Sequence, residues 1–259
     1  MIDTGIEKSG WLERKNRARA IRALERQRAY QEQKAVGMSG TDEFRRQLFI
    51  RSQAVRQKLH AVRPIAETDR VLEVGSGAHG LIFGFGGNLA IGIDPLAADY
   101  KRLFPDWQQN ALTAAAEGER LPFEDSSFEI VLSDNVIDHA KDPVGIVHEI
   151  VRVLKPGGAM YFTVNIHHPI YGLLSRAHGI WNGLGLKLEL SPFADHTVHF
   201  SEDQIRRVFA ELPVRPVSQN STAAETRKAQ RNVSSLHPEA LFKKLFFKNA
   251  LFEAVAVKD

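Results

Sequence analysis

Between residues 70 and 164 short apolar runs alternate with stretches of helical periodicity. Strand-like runs fall at residues 70–74, 89–93, 130–133 and 159–164. Residues 144–153 place Ile146, Val147, Ile150 and Val151 at helical spacing, with Leu154 following. Such alternation is the signal of a parallel sheet with crossover helices. Ser201-Glu202-Asp203 opens a further helix, residues 213–218 read as a strand, and residues 251–258 read as the last strand. Residues 165–200 are rich in His, Gly and aromatic residues and have no clean period. They are expected to form an insertion, a lid over the ligand-binding edge of the sheet.

The chain before residue 64 has a different pattern. Residues 13–33 are polar and charged, and Ala20, Ile21 and Leu24 form only a thin apolar stripe, which predicts a weakly packed helix. Gly37 and Gly40 break it. Thr41-Asp42-Glu43 then starts a second helix with Phe44, Leu48, Val55, Leu59 and Val62 on one side, ended by Pro64. The pattern divides the chain into a helical N-terminal extension over 1–63 and an α/β domain over 64–259.

Charge sharpens that division. Residues 1–70 carry 16 Lys/Arg against 9 Asp/Glu, and the remainder carries 18 against 22, so the extension is basic within a chain of net charge +3. A basic arm can touch nucleic acid or an anionic membrane surface, but the simpler reading is a solvated extension. The absence of cysteine removes disulfides, thiolate zinc sites and a cysteine nucleophile. No apolar core of a secretory signal occurs near Met1. The longest apolar run, residues 81–93, is broken by glycine and shorter than the roughly 20 residues of a membrane span. A soluble, cytoplasmic protein is expected.

Residues 71–80, VLEVGSGAHG, run an apolar strand directly into a glycine-rich turn. Glycines there allow a sharp turn and close approach of backbone to a ligand. Asp94 ends the next strand nineteen residues after Gly75, where an acid can accept hydrogen bonds from a ribose diol. These features indicate a nucleoside cofactor, and NAD would satisfy them equally.

The segments that follow are more specific. Glu117-Gly118-Glu119-Arg120-Leu121-Pro122-Phe123 leads through Phe128 to Leu132-Ser133-Asp134-Asn135, then Asp142-Pro143 and Lys155-Pro156-Gly157-Gly158. In this order and spacing, residues 68–165 resemble the class I S-adenosylmethionine-dependent methyltransferases, in particular the branch of quinone-biosynthesis and natural-product enzymes. The resemblance implies a Rossmann-like, doubly wound, seven-stranded sheet with an antiparallel last strand, and S-adenosyl-L-methionine as cofactor. It implies that Glu73, Gly75 and Gly77 surround the methionine end, that Asp94 holds the ribose, that Glu117 accepts from the adenine amino group beside the Gly118 backbone, and that Ser133 lies near the methionine amino group. Two positions depart from the family pattern. His79 replaces a third glycine, and Gly84, Gly86 and Gly87 each cost about 1 kcal/mol of helix propensity, so a short or irregular helix is expected over 81–88.

Methyl transfer from a sulfonium needs alignment, exclusion of water and, for some acceptors, a base. His139, after the fourth strand, and His167 and His168, after the fifth, are the candidate bases, with His196, His199 and Asp134 as alternatives. No metal-ligand spacing is present, so no metal is expected. The acceptor is read as a small or amphiphilic molecule rather than nucleic acid. Residues 241–248, basic and aromatic, are read as a packed helix or as a weak membrane-surface contact. The other functional readings are an RNA or protein methyltransferase using the basic arm, and a non-catalytic cofactor-binding protein.

Overall fold

The computed structural model describes residues 25–33, 42–172, 198–232, 241 and 244–259. Residues 1–24 and 34–41 of the N-terminal extension and most of the expected lid, including His196, lie outside the described residues. Seven strands form one sheet: β1 (Arg70–Val74), β2 (Leu89–Ile93), β3 (Leu112–Ala114), β4 (Phe128–Asp134), β5 (Leu154–Ile166), β6 (Val214–Ser221) and β7 (Ala250–Lys258). Their spatial order is β3-β2-β1-β4-β5-β7-β6. β1 to β5 pair in parallel, while β7 runs antiparallel between β5 and β6. This is the architecture the resemblance implied. Strand order reverses at β1, between β2 and β4, which places the ligand crevice of an open α/β sheet at the carboxyl end of β1.

Alternation along the strands sends side chains to two cores. Leu72, Val74 and Val131 face the helix Pro143–Val153, whose Ile146, Val147 and Ile150 are fully or almost fully buried against them. Asp142 caps that helix by accepting from Gly145 N, and Pro143 occupies its first turn, where the absent N–H costs nothing. Leu154 continues the helical spacing of the sequence but turns to extended backbone and begins β5. At the C-terminal end of the helix, Lys258 of β7 donates 2.7 Å hydrogen bonds to the carbonyls of Val151 and Leu154. Arg152 donates to the carbonyls of Leu121 and Phe123 and pairs with Glu149, whose carboxylate also accepts from Leu121 N. That clamp fixes the loop carrying Glu117 and Gly118.

The opposite face is covered from upstream. Helix α1 (Asp42–Val62) buries Val55 and Leu59 with Val71, Ile130, Leu132 and Tyr161 of the sheet. Fully burying one such side chain stabilises the fold by about 1.5–3 kcal/mol. The glycine-rich segment after β1 forms one 3-10 turn, Leu81–Gly84, instead of a full helix. α1 leans on it closely. Ser52 Oγ donates to Leu81 O at 2.6 Å, Gln53 donates to Gly84 O at 2.7 Å, and any Cβ at Gly84 would collide with Ser52. The irregularity legible in the sequence is thus the seat of α1. Lys58 adds an ion pair to Glu253 of β7.

Two short helices, α2 (Ala97–Leu103) and α3 (Pro105–Gln108), follow β2. Later come α5 (Glu202–Glu211), counting Pro143–Val153 as α4, and α6 (Ala223–Arg231). Ser201 and Gln204 close a capping box at the start of α5. In the basic aromatic segment before β7, residues 241, 244 and 245 are helical, Leu245 is exposed, and Phe247 and Lys248 are buried.

Candidate functional site

The turn after β1 is held from beneath. Gly75 N and Ser76 N both donate to Ile93 O, at 2.8 and 3.0 Å, and Gln108 Nε2 donates to Ala78 O at 2.8 Å. Gly75 and Gly77 have φ of 73° and 56°, the left-handed region that L side chains rarely adopt. A Cβ on Gly75 would strike Val136, whereas one on Gly77 would meet nothing within 4 Å. The Gly77 side of the turn is therefore open, and it faces a cavity of about 890 Å³.

Asp94 closes the turn from β2. Its carboxylate accepts from Gly77 N at 3.1 Å and Leu96 N at 2.8 Å. Burial pushes its carboxyl above the ordinary value, while the two backbone donors pull it down. Glu73 is 1% exposed and accepts from Leu81 N and Ile82 N at 3.0 and 2.8 Å. Burial pushes its carboxyl up to about 8, against those two donors. Among the described residues it makes no ion pair.

The cavity runs from Asp94, Leu96 and Tyr100 past the glycine turn to Glu117 and Gly118, and on to Asp134, Asn135, His139 and Asn165. Glu117 is exposed and pairs with Lys141 at 2.6 Å. Gly118 packs closely against Val74 and Ile146, and a Cβ there would come within 3.1 Å of both side chains. At the far end Arg51 of α1 bridges to Asp134 at 2.6 Å, and Thr163 Oγ1 donates to the same carboxylate. Asn165 Nδ2 donates to Asn135 Oδ1 at 2.5 Å, and Asn135 itself has a φ of 59°. Phe44 and Leu48 of α1, with Leu251, supply apolar wall.

Of the residues singled out in the sequence, Glu73, Gly75, Gly77, Asp94, Glu117, Gly118 and His139 share this one cavity. Ser133 is fully buried and off the wall, because it shares the face of Val131 while Asp134 takes the other. His139 is partly exposed, with Nε2 3.7 Å from Asp138 Oδ1. His167 and His168 point elsewhere. His167 is buried against Tyr171 and His199, and its Nδ1 accepts from Asn249 N. His168 packs on Phe246 and Phe247, and burial pushes its imidazole below the usual value. His79 does not open the turn as glycine would. It packs edge-on against Phe44 and Phe104, with Trp107 beside it, and joins α1 to α2 and α3. The sequence pattern does not mark Arg51, Asn135 or Asn165, which also line the cavity. Arg51 belongs to a helix that the apolar pattern treats only as packing, and the two amides come together only once β4 and β5 pair. No group of three or more His or acidic residues with metal-binding geometry occurs among the described residues.

Comparison with known proteins adds to this geometry. Residues 72–162, the stretch from β1 to β5, match the family described as a methyltransferase domain. Over that stretch, about a third of its length, the chain is similar to the S-adenosylmethionine-dependent methyltransferases. An uncharacterised methyltransferase of Mycobacterium sp. strain JLS is 36% identical over 92 residues, covering 34% of this chain and 35% of that protein. The chain spans well under half of the length of the curated relatives it matches. Among solved structures, geranyl diphosphate C-methyltransferase of Streptomyces coelicolor superposes with a TM-score of 0.56 at 15% identity, covering 88% of this chain and 86% of that one. Phosphoethanolamine N-methyltransferase 2 of Haemonchus contortus gives 0.56 at 18% identity, covering 80% and 52%. At such identities the likeness concerns the methyltransferase fold. No helix among the described residues is long and apolar enough to cross a membrane.

Proposed function

We propose that this methyltransferase transfers a methyl group from S-adenosyl-L-methionine to a small amphiphilic acceptor. The observation that carries the reading is the pairing of Asp94 with the open side of Gly77 at the cavity edge. An acid there accepts from ribose hydroxyls, and the absence of a side chain at Gly77 leaves room for the nucleoside. Glu117 accepts from the adenine amino group beside Gly118, and Glu73 lies behind the turn at the methionine end. The family's structures in complex with S-adenosylhomocysteine, among them those of the Streptomyces and Haemonchus enzymes, support this choice of cofactor.

S-adenosylmethionine, when bound, supplies the electrophilic methyl group. The chain's own residues hold the acceptor. Phe44, Leu48 and Leu251 take its apolar part and exclude water, while Asn135, Asn165 and the Arg51–Asp134 pair take its polar end. His139 alone of the three candidate histidines lines the cavity, and a ring nitrogen there accepts the proton of a hydroxyl or amine acceptor. The test is a mass-resolved screen of metabolite extracts with isotope-labelled cofactor. Label on a small molecule supports the reading. Label appearing only in RNA or protein would transfer the case to the macromolecular reading, with the basic arm as its binding element.

A further inference from the structure

Residues 25–33 form a helix in a stretch whose sequence shows only a thin apolar stripe. It nevertheless forms part of the cavity wall through Arg26, Gln27, Tyr30 and Gln31. Its anchor is polar. Arg28 approaches Asp99 at 3.7 Å, Arg102 approaches Glu32 at 3.7 Å, and Gln27 reaches the Tyr100 side chain. All three partners are on α2, which begins three residues after Asp94, so the helix lies over the Asp94 end of the cavity.

Gln27 and Gln31 are one turn apart and share a helix face. Gln31 is only 7% exposed, and its side-chain oxygen has no hydrogen-bond partner among the described residues. A buried carbonyl oxygen without a donor is unfavourable, and few native side chains are left that way. Hydroxyl donors are what a ribose on Asp94 offers. We propose that Gln31 is a cofactor-binding residue whose side-chain oxygen accepts from a ribose hydroxyl, making the helix of residues 25–33 a wall of the nucleoside subsite. The inference rests on the cofactor reading above, and it gives the N-terminal arm a role that a solvated extension does not have.

Gln31→Leu keeps similar volume and removes the oxygen. Two properties are measured: the melting temperature of the ligand-free protein, and affinity by calorimetry for S-adenosylhomocysteine and for 5′-methylthioadenosine, which lacks the amino acid. The expected result is a ligand-free melting temperature equal to or above wild type, with both affinities about tenfold weaker. A lower melting temperature with unchanged affinity would make Gln31 a packing residue and overturn the proposal. Weakening confined to S-adenosylhomocysteine would move the contact to the amino-acid end and overturn the ribose assignment. Hydrogen exchange on the wild-type protein gives a second readout that needs no variant. Amides of residues 25–33 should gain protection on adding S-adenosylhomocysteine, and unchanged exchange would count against the wall. Wild-type protein that binds neither nucleoside would refute the cofactor reading, and this inference with it.

Discussion

Replacing Glu73 by glutamine tests the electrostatics of the site most sharply. Burial raises the Glu73 carboxyl from 4.5 to about 8, with Asp134 adding to the shift and Arg51 opposing it. The folded protein therefore keeps a proton that the unfolded chain releases once pH exceeds about 4.5. Across that window the native state binds more protons than the unfolded state, so stability falls as pH rises. At 1.36 kcal/mol per unit, the loss accumulates to about 5 kcal/mol by pH 8. The glutamine variant has no titrating group at this position. It would, however, offer one acceptor to the two N–H groups of Leu81 and Ile82, a cost of about 1–3 kcal/mol at every pH. Urea unfolding, followed by tryptophan fluorescence at half-unit steps from pH 5 to 8, should show wild-type stability declining relative to Glu73→Gln throughout, the variant becoming the more stable near pH 8. Other titrating groups are common to both proteins and cancel in the difference. Parallel pH profiles would instead mean that Glu73 is ionised in the folded protein at neutral pH and that burial does not hold its proton.

Gly77→Ala should fold, at a cost of about 1–2 kcal/mol for its left-handed φ, yet weaken nucleoside binding because the new methyl enters the cavity; calorimetry beside a thermal melt separates the two effects. Lys258→Met should lower stability by about 1–3 kcal/mol in urea titrations, through loss of the hydrogen bonds that satisfy the last carbonyls of α4. His139→Ala should reduce turnover far more than cofactor affinity, whereas His168→Ala should leave both near wild type, as steady-state rates on an identified acceptor would show.

The centre of the sheet is legible in the sequence because β1, β4 and most of β5 are buried on both faces and read as continuous apolar runs. The glycine turn and Asp94 are legible because backbone geometry, not packing, dictates their residue types. The strand pattern misses β3, whose three residues Leu112–Ala114 are too few for a period. Ser133 shows the limit of reading roles by position. The resemblance places it at the strand end, but one residue of alternation puts it behind the cavity wall. The role of residues 25–33 was hidden for a different reason. Their contacts with α2 are made by Arg28, Glu32 and Gln27 across 70 or more residues, and hydrophobic periodicity does not register polar docking. Arg51 and its pair with Asp134, 83 residues away, are invisible in the same way.

Every role proposed for these residues depends on the cavity between the glycine turn and Asp94 holding the S-adenosyl nucleoside. Isothermal titration of S-adenosylhomocysteine and of NAD into wild-type protein and Asp94→Ala examines it directly. Saturable one-site binding of S-adenosylhomocysteine is expected, with none of NAD, and a loss of about 1.5–3 kcal/mol in the variant, the worth of hydrogen bonds to a charged group. Saturable NAD binding without heat from S-adenosylhomocysteine, or unchanged affinity in a folded Asp94→Ala protein, would contradict it.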